Sequence, residues 1–170
     1  NQIVDVIGLT TGVITFTTGY NHTCAVVTGQ VKCWGYNGYG ELGTGDTTDS
    51  ATPVDVVGLQ TNEVVALAGG GYHTCALTNS GGVKCWGLNR DGELGTGFST
   101  ISETTPINVS GLVSNVVGLA AGVYHTCALL TNGGVKCWGV NDYGQLGDNT
   151  TSGRHAPVNV TGLSSGVKAL

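Results

Sequence analysis

The chain repeats itself three times with a period of about 52 residues. The block Val-Lys-Cys-Trp-Gly occurs at residues 31–35, 83–87 and 135–139, and a His-Thr-Cys-Ala block precedes each copy. A period of this length means that each unit is one supersecondary element, which buries its apolar side chains only by packing against the next unit. The sequence therefore predicts an array of like units rather than a single irregular core.

A β-hairpin is predicted between the two cysteines of each unit. In the first unit, the midpoint between Cys24 and Cys33 falls between Thr28 and Gly29, which is a two-residue turn signal. The later loops are one residue longer, and their cysteines are again equidistant from the turn. Paired cysteines are therefore expected to face each other at a Cα separation of about 4.5–5.5 Å, within the range of a disulfide.

This geometry favours three disulfides within the repeats, and free buried thiols or a metal site are the alternatives. Zinc sites prefer cysteines about two to four residues apart with further ligands, and the pairs here are more widely spaced. Because stable disulfides imply an oxidising compartment, we expect an extracellular or cell-surface location. The predicted bridges are Cys24–Cys33, Cys75–Cys85 and Cys127–Cys137.

The remaining apolar segments are short, and none has a helical period. Each unit is therefore interpreted as four short antiparallel strands, on the length scale of a propeller blade. We predict an all-β fold of about three four-stranded β-propeller blades in a single repeat domain, 1–170. The predicted segments are a trailing strand of a preceding repeat (1–11), repeats 12–59, 60–112 and 113–163, and the start of a further repeat (164–170).

The repeated motifs resemble those of the regulator of chromosome condensation repeat family. Besides the cysteine blocks, each unit has an asparagine, at Asn37, Asn89 and Asn141, followed by Gly-Glu-Leu-Gly or Gly-Gln-Leu-Gly. The resemblance covers essentially the whole chain and implies a β-propeller, usually a closed ring of seven blades. Since three blades cannot close such a ring, we expect a larger propeller, an oligomer or a fragment of a longer chain. The paired cysteines are closest in character to secreted bacterial members.

Charge and motif content exclude several functions. The chain has 6 Lys and Arg against 11 Asp and Glu, with no basic stripe, so we expect no nucleic-acid partner. Its apolar runs reach only about half of the roughly 18 residues that a membrane helix needs, so no membrane insertion is expected. No phosphate loop or zinc-protease motif occurs. We therefore expect no enzyme activity, no cofactor and no metal.

One histidine and one tryptophan recur in every unit. The histidines could surround a metal at the axis, and the tryptophans could be stacking platforms for a ligand. The favoured interpretation is structural, because repetition itself places one hydrogen bond and one large apolar side chain in each blade. These residues are His22, His73, His125, Trp34, Trp86 and Trp138.

Residues that differ between the units are the candidates for partner binding. They lie in loops, which commonly carry binding sites when a rigid scaffold holds them. Exposed aromatic and arginine side chains are frequent anchors in protein interfaces. The candidates are Tyr36, Tyr39, Leu88, Arg90, Phe98, Val140, Tyr143, Arg154 and His155.

Together these features predict a non-enzymatic, disulfide-stapled scaffold that presents variable loops for protein binding at or outside the cell surface. The alternative is a structural subunit of an extracellular array or filament, built by blade stacking or strand exchange. An enzyme of the lyase or hydrolase class is the least favoured interpretation, since no motif supports it. The partner is accordingly a protein or a further copy of the chain.

Overall fold

The computed structural model of the protein describes residues 5–170, and these form three four-stranded antiparallel sheets without a helix. Within each sheet the strands pair in chain order, which confirms the predicted blades. Residues 5–170 accordingly offer no helix that could cross a membrane. The strands are β1 Val13–Thr18, β2 His22–Val27, β3 Gln30–Gly35, β4 Ser50–Asp55, β5 Val64–Gly69, β6 His73–Thr78, β7 Val83–Leu88, β8 Ser102–Asn108, β9 Val116–Ala121, β10 His125–Leu130, β11 Val135–Gly139 and β12 Arg154–Asn159.

The hairpin between β2 and β3 turns at Thr28 and Gly29, as the sequence predicts. Both residues have positive φ angles, 47° and 85°, as a two-residue hairpin turn requires. Cys24 and Cys33 are consequently directly opposed. All three predicted disulfides are present, each with a Cα–Cα distance of 4.1 Å.

Two of the three apolar clusters lie between blades, and the third, around Leu129 and Leu146, lies within the third blade. One cluster joins the first-blade residues Cys24 and Leu42 to Trp86 of the second blade. A second cluster repeats this arrangement, with Leu94 of the second blade packed with Trp138 of the third. Each blade is therefore stabilised by its neighbour, as expected when a unit is too small to enclose its own apolar side chains.

The first strands of the blades converge, which brings the loops after β1, β5 and β9 together. The N–H of Gly69 donates to Thr17 Oγ1 at 2.8 Å. The N–H of Tyr20 donates to the Gly71 carbonyl at 3.2 Å, and the Gly71 N–H donates to the Val123 carbonyl at 2.9 Å. A side chain at Gly71 would lie 2.9 Å from Val123 Cγ1, so the close approach requires glycine.

Both ends of the described chain make contacts typical of the repeat. The predicted trailing strand, 1–11, lies partly outside the described residues, and its described part forms turns, with Leu9 N–H donating to the Val6 carbonyl at 3.1 Å. At the other end, the Val167 N–H donates to the Gly133 carbonyl at 3.1 Å. The boundaries assigned to the individual repeats stay a prediction.

Candidate functional site

The repeated histidine and tryptophan side chains lie at the interfaces between blades. His22 Nε2 is 2.9 Å from Thr74 Oγ1 of the next blade, and this hydroxyl donates to the Glu41 carbonyl at 3.1 Å. Trp86 Nε1 donates to the same carbonyl at 2.7 Å. Because the single hydroxyl proton of Thr74 is directed to Glu41, His22 must donate from Nε2. Burial lowers the pKa of His22 to about 4, so the imidazole is neutral at pH 7.

The second interface repeats the histidine–threonine and tryptophan–carbonyl bonds. His73 Nε2 is 2.8 Å from Thr126 Oγ1, and Trp138 Nε1 donates to the Glu93 carbonyl at 2.8 Å. Burial, followed by the neighbouring histidines, lowers the pKa of His73 to about 3. Within residues 5–170, no group of three ligating side chains is arranged to hold a metal. In both interfaces, the imidazole Nε2 is committed to a hydrogen bond.

The outermost copies of these residues are less covered. Trp34 and His125 are both half-buried, whereas Trp86, Trp138 and His73 are fully buried. Among residues 5–170, neither Trp34 nor His125 makes the side-chain hydrogen bond that its counterparts make across an interface. The same residue type at the same repeat position therefore has a different environment at the edge of the array.

The buried asparagines fix the loops that carry the variable residues. Asn37 Oδ1 accepts the Leu42 N–H at 2.9 Å, and Asn37 Nδ2 donates to the carbonyls of Asp46 and Thr48, both at 3.1 Å. Asn89 and Asn141 hold their own loops by the same type of bonds. The loops are consequently rigid supports for whatever side chains they expose.

Five tyrosines from the three blades form a contiguous aromatic surface, which we call the tyrosine face. Its rings are those of Tyr20, Tyr36, Tyr39, Tyr72 and Tyr124. The centroid of the Tyr72 ring lies 5.5 Å from that of Tyr20 and 5.7 Å from that of Tyr39, and both pairs are edge to face. The Tyr72 ring also stacks on the Tyr124 ring, with 6.1 Å between their centroids. Tyr36 contacts Tyr39 edge to face at 6.3 Å. These distances are typical of favourable aromatic pairs.

A groove of about 320 Å³ lies in the tyrosine face. The guanidinium carbon of Arg90 lies 5.8 Å from the centroid of the Tyr39 ring, at cation–π distance. Leu88 is almost completely buried, whereas the side chains of Arg90 and Asp91 are exposed. The groove is lined by Tyr39, Tyr72, Leu88, Arg90, Asp91 and Tyr124.

Carboxylates make the surroundings of the tyrosine face negative. Desolvation, followed by the charges of Glu41 and of other neighbours including Asp49, raises the pKa of Tyr36. Desolvation also raises the pKa of Tyr124, and neighbouring tyrosines and the Glu93 carboxylate add to this effect. Burial raises the pKa of Glu41 to about 6, so this carboxyl is mostly ionised at pH 7.

Four of the predicted binding residues lie together. Tyr36 and Tyr39 belong to the tyrosine face, and Leu88 and Arg90 line its groove. Val140 borders this surface, because its N–H donates to the Tyr124 carbonyl at 2.9 Å.

The other four predicted binding residues lie outside the groove. Tyr143 is 94% exposed, and Phe98 is 56% exposed. The residue before Phe98 donates its N–H to the His155 carbonyl at 2.7 Å, so these two lie close together. Arg154 is engaged in an ion pair, with Nε 2.7 Å from Asp148 Oδ2. The nine predicted candidates are therefore not one surface.

Sequence reasoning missed three members of the tyrosine face. Tyr72 and Tyr124 directly precede the repeated histidine, and Tyr20 lies two residues before it. The first unit has Asn21 at the position of Tyr72 and Tyr124, so this position does vary. That difference was the available signal, since it marks the loop as exposed rather than structural.

The fold and the site define a repeat protein built of blades, in which repeated residues form the interfaces and tyrosine rings from all three blades meet on one surface. Residues 28–77, 80–129 and 132–169 match the regulator of chromosome condensation (RCC1) repeat, and the chain belongs to this family. A second profile of the same repeat matches residues 64–93 and 116–145.

The curated relatives that the chain matches are longer than the chain itself. The mouse probable E3 ubiquitin-protein ligase HERC4 is 37% identical over 136 residues, which is 79% of this chain and 13% of the relative. The Ultraviolet-B receptor UVR8 of Arabidopsis thaliana is 32% identical over 152 residues, or 88% of this chain and 34% of the receptor. The chain therefore spans about a third or less of these relatives.

Solved propeller structures share the fold. The structure of Prp20p from Saccharomyces cerevisiae matches with a TM-score of 0.77 and 20% identity, covering 88% of this chain and 38% of Prp20p. At this level of identity the likeness establishes the fold alone.

Proposed function

We propose that the chain is a non-enzymatic, disulfide-stapled propeller scaffold that binds a protein partner through the tyrosine face, at the cell surface or outside the cell. The observation that carries this proposal is the assembly of five tyrosine rings from three different blades into one accessible surface. Tyrosine and arginine are enriched at the energetic centres of protein interfaces. Tyrosine rings contribute a large contact area at low cost in conformational entropy.

The loops that carry the tyrosine face are rigid, which favours binding without a rearrangement of the chain. The loops that present Tyr36 and Tyr39 are held by buried hydrogen bonds of Asn37, and Glu41 Oε2 accepts the Tyr39 N–H at 2.8 Å. A partner would thus meet rings that are already in place, which lowers the entropy that binding must overcome. Binding to Gsp1p and histones has been described for Prp20p, which supports a binding role for this fold.

The extracellular part of the proposal rests on the disulfides. All six cysteines are paired, and those of the first two blades are fully buried. Paired cysteines of this kind persist in oxidising compartments. Alkylation of freshly isolated protein in denaturant, followed by intact-mass analysis, should add no label before reduction and six labels after it. Six labels without reduction would contradict this location.

The binding role can be tested by capture with matched variants. The triple variant Tyr39→Ser, Tyr72→Ser, Tyr124→Ser removes the centre of the tyrosine face, and Tyr143→Ser removes an exposed tyrosine outside it. Both immobilised variants and the wild type are exposed to the medium and surface extract of the cells that make the protein. We expect a protein that the wild type and Tyr143→Ser retain and that the triple variant loses. A set of captured proteins that does not depend on the tyrosine face would contradict the proposal.

A second candidate function, a structural array, is favoured by the outer face of the first blade. A groove of about 350 Å³ there is lined partly by Val6, Phe16 and Trp34, and Phe16 is 67% exposed. In the first internal interface, Leu42 packs with the equivalent tryptophan, Trp86. A loop of another blade carrying this leucine would therefore complete the contact.

Stacking of intact copies has a steric consequence at this groove. Val6 and Trp34 line the same groove, just as Val56 and Trp86 share one apolar cluster. Val6 therefore occupies the place that the last residues of a preceding blade would take. A docking copy would have to displace this segment. Light scattering should show assemblies that grow with concentration and that Trp34→Ser abolishes. A monomer at all concentrations would exclude the array.

A further inference from the structure

We infer that the groove in the tyrosine face receives a lysine or arginine side chain from a basic, extended segment of the partner, and that Arg90 is the chain's own occupant of this site. The inference rests on the proposed function and specifies the chemistry of the partner. The segment would lay its cation on the tyrosine rings, pair with the Asp91 carboxylate and displace the Arg90 guanidinium.

The arrangement of the rings is the first reason. The planes of Tyr39 and Tyr72 are inclined by 81°, and those of Tyr72 and Tyr20 by 85°. Such rings present both faces and edges to one groove, and the negative face of an aromatic ring attracts a cation within about 6 Å of its centroid. Arg90, at 5.8 Å from the Tyr39 centroid, already shows that a cation is accommodated there.

The weak attachment of Arg90 is the second reason. Among residues 5–170, the ion pairs are formed by Lys32, Lys84 and Arg154, and the Arg90 guanidinium is in none of them. Arg154, by contrast, is held 2.7 Å from Asp148. An exposed guanidinium supported only by a ring face is readily exchanged for another cation, because its side chain has many alternative rotamers in solvent.

The charge around the groove is the third reason. Asp91 lines the groove, Asp49 and Glu41 contribute to the negative potential at Tyr36, and Glu93 does so at Tyr124. Against these four carboxyl groups stands the single guanidinium of Arg90. The field therefore favours a positively charged partner segment and opposes an acidic one.

The excess of negative charge around the groove also distinguishes a basic segment from a proline-rich one. Polyproline segments bind aromatic grooves as well, but they gain nothing from the Asp91 carboxylate and would not compete with a cation. Salt dependence separates the two, since only the attraction between charges is screened by added ions.

The test uses the purified chain and three fluorescein-labelled 12-residue peptides, with alternating Gly-Lys, alternating Gly-Glu, and Gly-Pro-Pro repeats. Fluorescence anisotropy measures binding at low salt and at about 0.5 M NaCl, where screening is strong. We expect the Gly-Lys peptide to bind, to weaken with salt and to exceed both others. Equal or tighter binding of the acidic or proline-rich peptide would overturn the inference.

Variants of Tyr72 locate the binding on the rings. Tyr72→Leu keeps an apolar side chain but removes the aromatic face, and we expect a loss of about five-fold or more in affinity. Tyr72→Phe keeps the face and should stay within about two-fold of the wild type. Tyr143→Leu is the matched control at an exposed tyrosine outside the groove and should bind as the wild type does. Equal losses in Tyr72→Leu and Tyr143→Leu would overturn the inference.

Arg90 provides a prediction of opposite sign. Arg90→Gln removes the internal competitor and one repelling charge, so we expect affinity for the Gly-Lys peptide to rise about three-fold or more. Asp91→Asn should lower it. A loss of affinity in Arg90→Gln would show that Arg90 is an anchor for the partner and would overturn the inference. The capture experiment with the triple tyrosine variant is independent of these peptides, so it would still support the proposed function in that case.

Discussion

The interfaces between blades and the tyrosine face are both aromatic, but they are built from different parts of the repeat. Trp86 and Trp138 occupy the same position in successive units, and both are fully buried with the same hydrogen bond to a loop carbonyl. The loop position of Tyr39 is Asp91 in the second unit and Tyr143 in the third. Residues that every unit shares therefore hold the array together, whereas the tyrosine face is built at positions that are not tyrosine in every unit.

The largest expected effect tests this contrast within one residue type. Trp86→Ala removes a fully buried indole and should lower the free energy of unfolding by about 3–5 kcal/mol. Trp34→Ala removes a half-buried indole at the equivalent position and should cost less than half as much, because less apolar area is lost. Urea unfolding monitored by far-ultraviolet circular dichroism measures both.

If Trp86→Ala does not fold, Trp86→Phe still allows the stability contributions of Trp86 and Trp34 to be compared. It retains most of the apolar volume and loses the 2.7 Å bond to the Glu41 carbonyl, so a cost of about 1 kcal/mol is expected. Equal costs for Trp86→Ala and Trp34→Ala would mean that burial between blades does not govern stability.

The disulfides give the next largest effect and should differ less between blades. Cys75–Cys85 and Cys127–Cys137 each close a sequence separation of 10 residues. On the chain-entropy model, replacing either pair by alanine should cost up to about 3 kcal/mol. Cys75 is fully buried and Cys127 only half-buried, whereas the two loops are equally long. A larger loss of stability on replacing Cys75–Cys85 would therefore measure the contribution of packing. Chemical unfolding of the two double variants provides the comparison.

The sequence predicted the repeated part of the structure better than the site. The period, the two-residue turn at Thr28 and Gly29 and the opposed cysteines are local features, and the structure confirms them. The tyrosine face depends on how far neighbouring blades rotate relative to one another, which no local pattern encodes. That rotation brings Tyr39 within 5.7 Å of Tyr72, although the two belong to different units.

The constant motif also contains a position with a predictable difference between units. Glu41 and Glu93 are fully buried, and Oε1 of each has no hydrogen-bond partner among residues 5–170. Gln145 stands at this position in the third unit, with its Oε1 accepting the Tyr143 N–H at 2.9 Å. An uncharged amide thus makes the same backbone bond without the cost of a buried charge.

Glu41→Gln should therefore stabilise the protein at pH 7. Burial raises the pKa of Glu41 from 4.5 to about 6. The folded protein is therefore more stable when this carboxyl is protonated than when it is ionised. The wild type loses this stability as the pH rises from about 4.5 through about 6. The free energy of unfolding of Glu41→Gln should therefore exceed that of the wild type by on the order of 1 kcal/mol at pH 7 and should equal it at pH 4. His22 and His73 resist protonation in the folded state and destabilise both proteins equally below pH 6.5. A stability difference that did not change with pH would refute this assignment.

The smallest effect compares two tyrosines at one loop position. Tyr39→Ser removes ring contacts with Tyr36, Tyr72 and Arg90, and aromatic pairs contribute about 0.5–1.5 kcal/mol each when well formed. Because the side chain is only half-buried, we expect a loss of about 0.5–1 kcal/mol, whereas Tyr143→Ser should change stability by less than about 0.5 kcal/mol. Thermal unfolding of both variants beside the wild type resolves this difference. If Tyr39→Ser were as costly as the loss of a disulfide, the tyrosine face would be part of the core rather than a surface available to a partner.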